Sequence, residues 1–261
     1  MAATGKVKEH NETYKTVKSI LVSQPKPERS PYYELESKYG LKIDWRQFIH
    51  VEPVDVKEFR KQRIKPDEFT AIIFTSKNSV DHFFRICEEM RIKMAQDTKY
   101  FCLSEAIANY LQKFIVYRKR KVFVGKRKIN DLAAAFKKNK DEKFLLPFSN
   151  LGAKQVVSFL DASSLNWQGA MMYKTVSSDL SDLSDVKYDV LVFFSPLGIA
   201  SLYENFPDFT QDETRLAVFG NSTCKAVEDH GLTINIKAPT PETPSMTMAL
   251  EKYLQQSNGP K

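Results

Sequence analysis

The chain has 261 residues, 42% of them hydrophobic and 27% charged, with a formal net charge of +7. That length suits two domains of about 100–130 residues each, and no apolar run reaches the roughly 20 residues that span a bilayer. Cys87, Cys102 and Cys224 are widely spaced and form no CxxC pair, which argues against disulfides and zinc and for a reducing cytoplasm.

Residues 1–18, "MAATGKVKEHNETYKTVK", have no apolar core of a secretory leader and read as a charged tail. Ten apolar segments then predict strands, at 19–22, 42–48, 71–75, 100–103, 122–124, 144–147, 171–176, 190–194, 216–219 and 233–236. Several are continuous apolar runs, the pattern of parallel strands buried on both faces. Helical spacing lies between them. Val80, Phe83, Phe84 and Cys87 share one face, as do Ile107, Tyr110, Leu111 and Phe114. A third helix starts near Asn130 or Asp131 and turns Leu132, Ala135 and Phe136 inward. Strand–helix alternation predicts an α/β fold with parallel sheets and right-handed crossovers.

The chain also repeats itself. "AIIFTSKNSVDHFF" (71–84) aligns with "LVFFSPLGIASLY" (191–203), setting Ser76 against Ser195. "YFCLSEAIANYL" (100–111) aligns with "LAVFGNSTCKAV" (216–227), setting Ser104 against Gly220. Two copies of one doubly wound, five-stranded unit follow from this. One domain is 19–49 plus 175–257, the other 54–170, with 50–53 and 171–174 as a two-stranded linker and a cleft between the domains.

In open α/β sheets, ligands meet the residues just beyond the carboxyl ends of the strands. Here these are Ser23-Gln24-Pro25, Thr75-Ser76-Lys77-Asn78, Ser104-Glu105, Gly125 to Lys128, Phe148-Ser149-Asn150, Ser195-Pro196, Gly220 to Thr223 and Pro239-Thr240-Pro241. Most are small or polar and are expected at helix N-termini, where free N–H groups and the dipole favour anions. Any one of them alone is more simply an N-cap. The basic run 117–128 divides by the same rule. Arg118, Lys119, Arg120 and Lys121 precede their strand and read as a solvated patch. Lys126, Arg127 and Lys128 follow it, on the side of the anion-binding turns.

The histidines His10, His50, His82 and His230 have no metal-like spacing, and no GxSxG, P-loop or GxGxxG motif occurs. The residue that stands out for proton chemistry is Tyr173 in "MMYKTV", weighed against a tyrosine that only packs locally.

The ordered set "IIFTSKNSV", "MYKTV", "VFFSPLG", "FGNSTCKAV" and "APTP" resembles the uroporphyrinogen-III synthase family. That resemblance implies a cofactor-free cytoplasmic enzyme of haem and tetrapyrrole biosynthesis. It would close hydroxymethylbilane, a linear tetrapyrrole with eight carboxylates, to uroporphyrinogen III, losing water and inverting ring D. The family pattern suggests Tyr173 as the general acid, and Ser76, Ser195, Ser222 and Thr223 match its turn residues. With Thr75, Asn78, Ser104, Lys126, Pro196, Gly220 and Asn221 from the strand-end turns, they make up the expected substrate-binding set. A monomer with no nucleic-acid or membrane partner is expected. Three positions depart from the pattern. Gln24 stands where an Arg-Pro pair is usual, Ile107 replaces a small hydroxyl residue behind Glu105, and "FSNLGAK" offers only Lys154 in a turn that usually holds arginine. The rival readings are a two-domain binding protein for an anionic small ligand and a nucleic-acid binder using 117–128.

Overall fold

The computed structural model describes residues 14–183 and 186–259. In chain order the elements begin with β1 (Ser19–Val22), α1 (Tyr32–Tyr39), β2 (Lys42–Trp45), β3 (Ile49–Pro53), α2 (Val56–Lys61), β4 (Ala71–Phe74), α3 (Lys77–Glu89), β5 (Lys99–Cys102), α4 (Glu105–Leu111) and β6 (Val122–Val124). They continue with α5 (Ala133–Lys138), β7 (Lys143–Ser149), α6 (Lys154–Asp161), β8 (Asn166–Ser177), β9 (Val190–Phe193), α7 (Pro196–Asn205), β10 (Arg215–Phe219), α8 (Asn221–Asp229), β11 (Ile234–Ala238) and α9 (Met246–Ser257). Among the described residues, no helix is long and apolar enough to cross a membrane. The chain divides into two compact units, Met1–His50 with Val176–Lys261, and Val51–Thr175.

The first unit holds a sheet in the order β11-β10-β9-β1-β2, with every ladder parallel. All four residues of β9 are buried, because the sheet is covered on both faces. Val190 and Val192 pack with Tyr32 and Leu35 of α1 and Leu250 and Leu254 of α9. Leu191 and Phe193 pack on the other side with Ile199 and Leu202 of α7 and Val227 of α8. This is why β9 reads as an unbroken apolar run rather than an alternating one. Most of the expected charged tail lies outside the described residues. Its end is anchored here, with Val17 buried and its N–H donating to Asn258 Oδ1 at 2.9 Å.

The second unit holds a sheet in the order β3-β8-β7-β4-β5-β6. The β4–β5, β4–β7, β5–β6 and β7–β8 ladders are parallel. Ile72 and Phe74 of β4 face Phe59, Val80, Phe83 and Leu111. Ala71 and Ile73 face Phe136, Val156 and Leu160. This sheet has six strands, not the five expected. Residues 49–53 form the extra strand β3, which runs beside β8, and just past it the Val54 N–H donates to Met172 O at 3.1 Å. A connection laid along a sheet edge satisfies its backbone groups as a strand. β8 is correspondingly longer than expected, starting at Asn166 opposite Lys143 of β7.

Both sheets reverse direction once. Read from β2, the first sheet runs β2-β1-β9-β10-β11, and read from β8, the second runs β8-β7-β4-β5-β6 before its edge strand. The reversals fall between β1 and β9 and between β7 and β4. This matches β9 with β4 and β10 with β5, as the sequence repeat does. The two units therefore share one strand order but are entered by the chain at different points.

Candidate functional site

A ligand crevice in an open α/β sheet forms where the strand order reverses, beyond the carboxyl ends of the strands. In the second unit that point lies between β4 and β7, and Ser76 closely follows β4. Ser76 caps α3. Its Oγ accepts from the Ser79 N–H at 3.1 Å, while Ser79 Oγ accepts from the N–H groups of Ser76 (3.1 Å) and Thr75 (3.2 Å). This reciprocal cap fixes the start of the helix. The next N–H groups, of Lys77 and Asn78, precede the first intrahelical bond, and both side chains are exposed.

Tyr173 on β8 meets this turn. Its hydroxyl is 3.3 Å from Ser76 Oγ, and the residue is only 7% exposed. The phenol ring stacks on His82 of α3, with centroids 4.9 Å apart and planes 15° apart. Burial raises the Tyr173 phenol above its ordinary pKa, and the Ser76 hydrogen bond opposes this. The phenol is therefore held as a neutral O–H donor at neutral pH. His82 is pushed below its ordinary value, first by burial and then by the Arg85 charge, against the pull of Asp81. Arg85 Nε donates to His82 Nδ1 at 3.4 Å, so the neutral ring carries its proton on Nε2. Arg85 is itself fixed by the carbonyls of Val54 (2.9 Å) and Met172 (3.2 Å) and by Glu89 (2.8 Å).

Other predicted residues of this unit are less committed. Ser104 starts α4 without a side-chain cap bond, and Glu105 beside it is exposed. Ile107 is buried in the core against α3 and β4, which explains why a hydroxyl is missing there. Lys126 is not a free anion-binding turn as expected: its N–H and that of Lys128 both donate to Asp131 Oδ2, at 2.8 and 2.9 Å. That turn's donors are already taken, and the Lys128 N–H bond above all holds the Asp131 carboxyl below its ordinary value. Ser149 and Asn150 were expected at a helix N-terminus and lie instead at the end of β7 and in the turn before α6. There the Asn150 amide bridges both backbone groups of Thr175, accepting from its N–H at 2.8 Å and donating to its carbonyl at 3.1 Å. Lys154 is exposed on the first turn of α6.

In the first unit, the reversal lies between β1 and β9, and Ser195 follows β9. Its Oγ accepts from the Gly198 N–H at 3.3 Å, with Pro196 opening α7. A Cβ at Gly198 would lie 3.1 Å from Phe193 Cδ1, so glycine lets the helix start sit tightly on its strand. Gly220 follows β10 with φ 87°, a left-handed conformation that suits glycine. Asn221 and Ser222 lie beyond it on the first turn of α8. Thr223 is 1% exposed, and its Oγ1 has no hydrogen-bond partner among the described residues. The expected Ser222–Thr223 pair is thus split, with Ser222 outward and Thr223 inward. Ser23 and Thr240 lie in loops rather than at helix starts, since α1 and α9 begin after Pro31 and Ser245.

Two groups escaped the sequence reading. His82 had no motif around it. Arg46 follows β2, the neighbour of β1, on the same carboxyl edge as Gln24, and is ion-paired with Asp182. For Arg46 the strand expected at 42–48 runs through the residue, and only the end of β2 at Trp45 puts it at a carboxyl edge. For His82 the available signal was the place of an aromatic ring on the helix that Ser76 starts.

The family model described as uroporphyrinogen-III synthase HemD matches residues 33–248. A uroporphyrinogen-III synthase from Chlorobaculum parvum is 23% identical over 255 residues, 92% of this chain and 100% of that protein. The crystal structure of uroporphyrinogen-III synthetase from Helicobacter pylori 26695 has the same fold, with a TM-score of 0.61 at 18% identity, covering 92% of this chain and 99% of that one. A mutant uroporphyrinogen III synthase from the extremely thermophilic bacterium Thermus thermophilus aligns with a TM-score of 0.56 at 13% identity and the same coverage. Matched from 33 to 248, the chain belongs to the uroporphyrinogen-III synthase family, the one its ordered turns resemble.

Proposed function

We propose that this chain closes hydroxymethylbilane to uroporphyrinogen III. In this reading Tyr173 gives its proton to the terminal hydroxyl of the bilane, which leaves as water. The remaining cation is delocalised over the pyrroles. The substituted carbon of ring D attacks it, forming a spiro intermediate that reopens with ring D inverted, and closure followed by proton loss restores the pyrrole. The nucleophile and the electrophile both belong to the substrate. The protein's tasks are to hold the chain folded, which is orientation, and to supply a proton, a contribution of about 10²–10⁴-fold.

The observation that carries this reading is the Ser76–Tyr173–His82 cluster beside the strand reversal. Burial keeps the phenol protonated, the state an acid needs, and a neutral His82 leaves no competing cation under the ring. The eight carboxylates are proposed to be received at both carboxyl edges. Ser195, Pro196, Gly220, Asn221 and Ser222 serve on one, and Thr75, Ser76, Asn78, Ser104 and the Lys126 side chain on the other. The exposed helix starts offer N–H donors, and Arg46 exchanges Asp182 for a substrate carboxylate. The test is incubation with hydroxymethylbilane followed by separation of the isomers. Uroporphyrinogen III is the expected product, and only the spontaneous type I isomer would overturn the reading.

A further inference from the structure

The basic residues 118–121 take no part in the carboxyl-edge turns. They lead into β6 from the opposite edge of its sheet, and a pocket of about 390 Å³ lies beside them. Its walls are apolar, with Phe84 and Cys87 from α3, then Met94, Tyr100, Phe114 and Ile115. Burial raises the Cys87 thiol to about 12, so that wall stays uncharged. Lys93, Arg118 and Lys121 also line it. Lys121 is already engaged, paired with Asp97 and donating to the Gln96 carbonyl at 2.6 Å. Lys93 and Arg118 are exposed and make no ion pair among the described residues, and Arg118 feels Asp97 only at longer range. A buried hydroxyl also lines the pocket. Thr98 is 2% exposed, and its Oγ1 has no hydrogen-bond partner among the described residues.

A volume of this size with mostly apolar walls and a few placed polar groups is the pattern of a small-molecule site. Apolar walls ask for a hydrocarbon body. Two cations without ion pairs ask for an anionic head, and a buried hydroxyl without a partner asks for an acceptor. We propose that this pocket binds a single-chain amphipathic carboxylate. The chain lies against Phe84, Met94, Phe114 and Ile115. The carboxylate takes the charge of Lys93 and Arg118 and the hydrogen bond that Thr98 lacks. Val116, which lines the pocket, is 83% exposed, and Tyr117 beside it in the chain is exposed too. They would also suit an anionic bilayer, but a flat surface reaches neither the concave walls nor the buried Thr98.

The test titrates the full chain with decanoate below its micellar concentration. Saturable binding at one site per chain is expected. Decyltrimethylammonium and 1-decanol should each bind at least about tenfold more weakly. The exposed double variant Lys93→Gln/Arg118→Gln should lose at least about tenfold in affinity with an unchanged circular dichroism spectrum, and Thr98→Val should lose a few-fold. The ring-closing rate of the double variant should stay within about twofold of the parent, since none of these residues belongs to the proposed reaction site. Equal decanoate binding by the double variant, or equal binding of 1-decanol, would overturn the proposal. So would cosedimentation with phosphatidylglycerol vesicles without binding of monomeric decanoate.

Discussion

Tyr173 shows how environment turns a common side chain into a candidate acid. The phenol is buried, stacked on a neutral ring and 3.3 Å from a serine hydroxyl whose oxygen already accepts a backbone N–H. Tyr173→Phe keeps the stack and deletes only the hydroxyl. It should lower kcat at least about tenfold in a ring-closing assay, and parent turnover would return Tyr173 to a packing role. His82 gives a pH signature of its own. Its folded-state pKa lies below the ordinary value of about 6.5. As pH falls below about 6.5, the unfolded chain takes up a proton that the folded chain refuses, so stability is present above that value and lost on acidification. Urea midpoints should therefore fall between about pH 7.5 and pH 5.5, and His82→Phe should flatten that part of the profile. An unchanged slope in the variant would refute the assignment.

At the scale of elements, helix starts carry both stability and binding. Ser76 is half of a reciprocal cap, so Ser76→Ala should cost about 1 kcal/mol in thermal unfolding. Ser222 separates the two roles more cleanly. It is exposed on the first turn of α8, where a carboxylate favours the helix dipole but repels a polycarboxylate substrate. Ser222→Asp should leave the melting temperature unchanged or slightly higher while raising KM about tenfold, roughly the effect of 1.4 kcal/mol. A KM equal to the parent's would remove Ser222 from the binding set. The strands β4 and β9 were legible in sequence because both faces are covered and every residue is apolar. β3 was not. Ile-His-Val-Glu-Pro is only partly buried and ends in proline, and only β8 alongside it makes it a strand. Thr223 could have been placed inward from its spacing of four to Val227, a core residue of the same helix.

At the scale of the whole molecule, each unit is a largely parallel sheet with a core on either face. Phe101 represents the depth of that core. It is fully buried, stacks on Phe123 at 4.6 Å and Phe136 at 4.8 Å, and meets Phe144 edge-on at 5.2 Å. Phe101→Ala should cost about 3–5 kcal/mol in chemical denaturation. A loss under about 1 kcal/mol would mean that the site collapses around the vacancy. The sequence by itself determined the α/β class, nearly every strand, the repeat that equates Ser76 with Ser195, and the ordered turns that mark the family. Those features are local, since apolar runs, caps and turn residues act over a few positions. Only the tertiary structure decided that β3 joins β8 as the edge strand of a six-stranded sheet, that both serines stand at strand-order reversals, and that His82 lies under Tyr173. Each of these depends on which distant segment a strand or helix packs against, and hydrophobic burial, being non-directional, does not write that partner into the pattern of either segment alone.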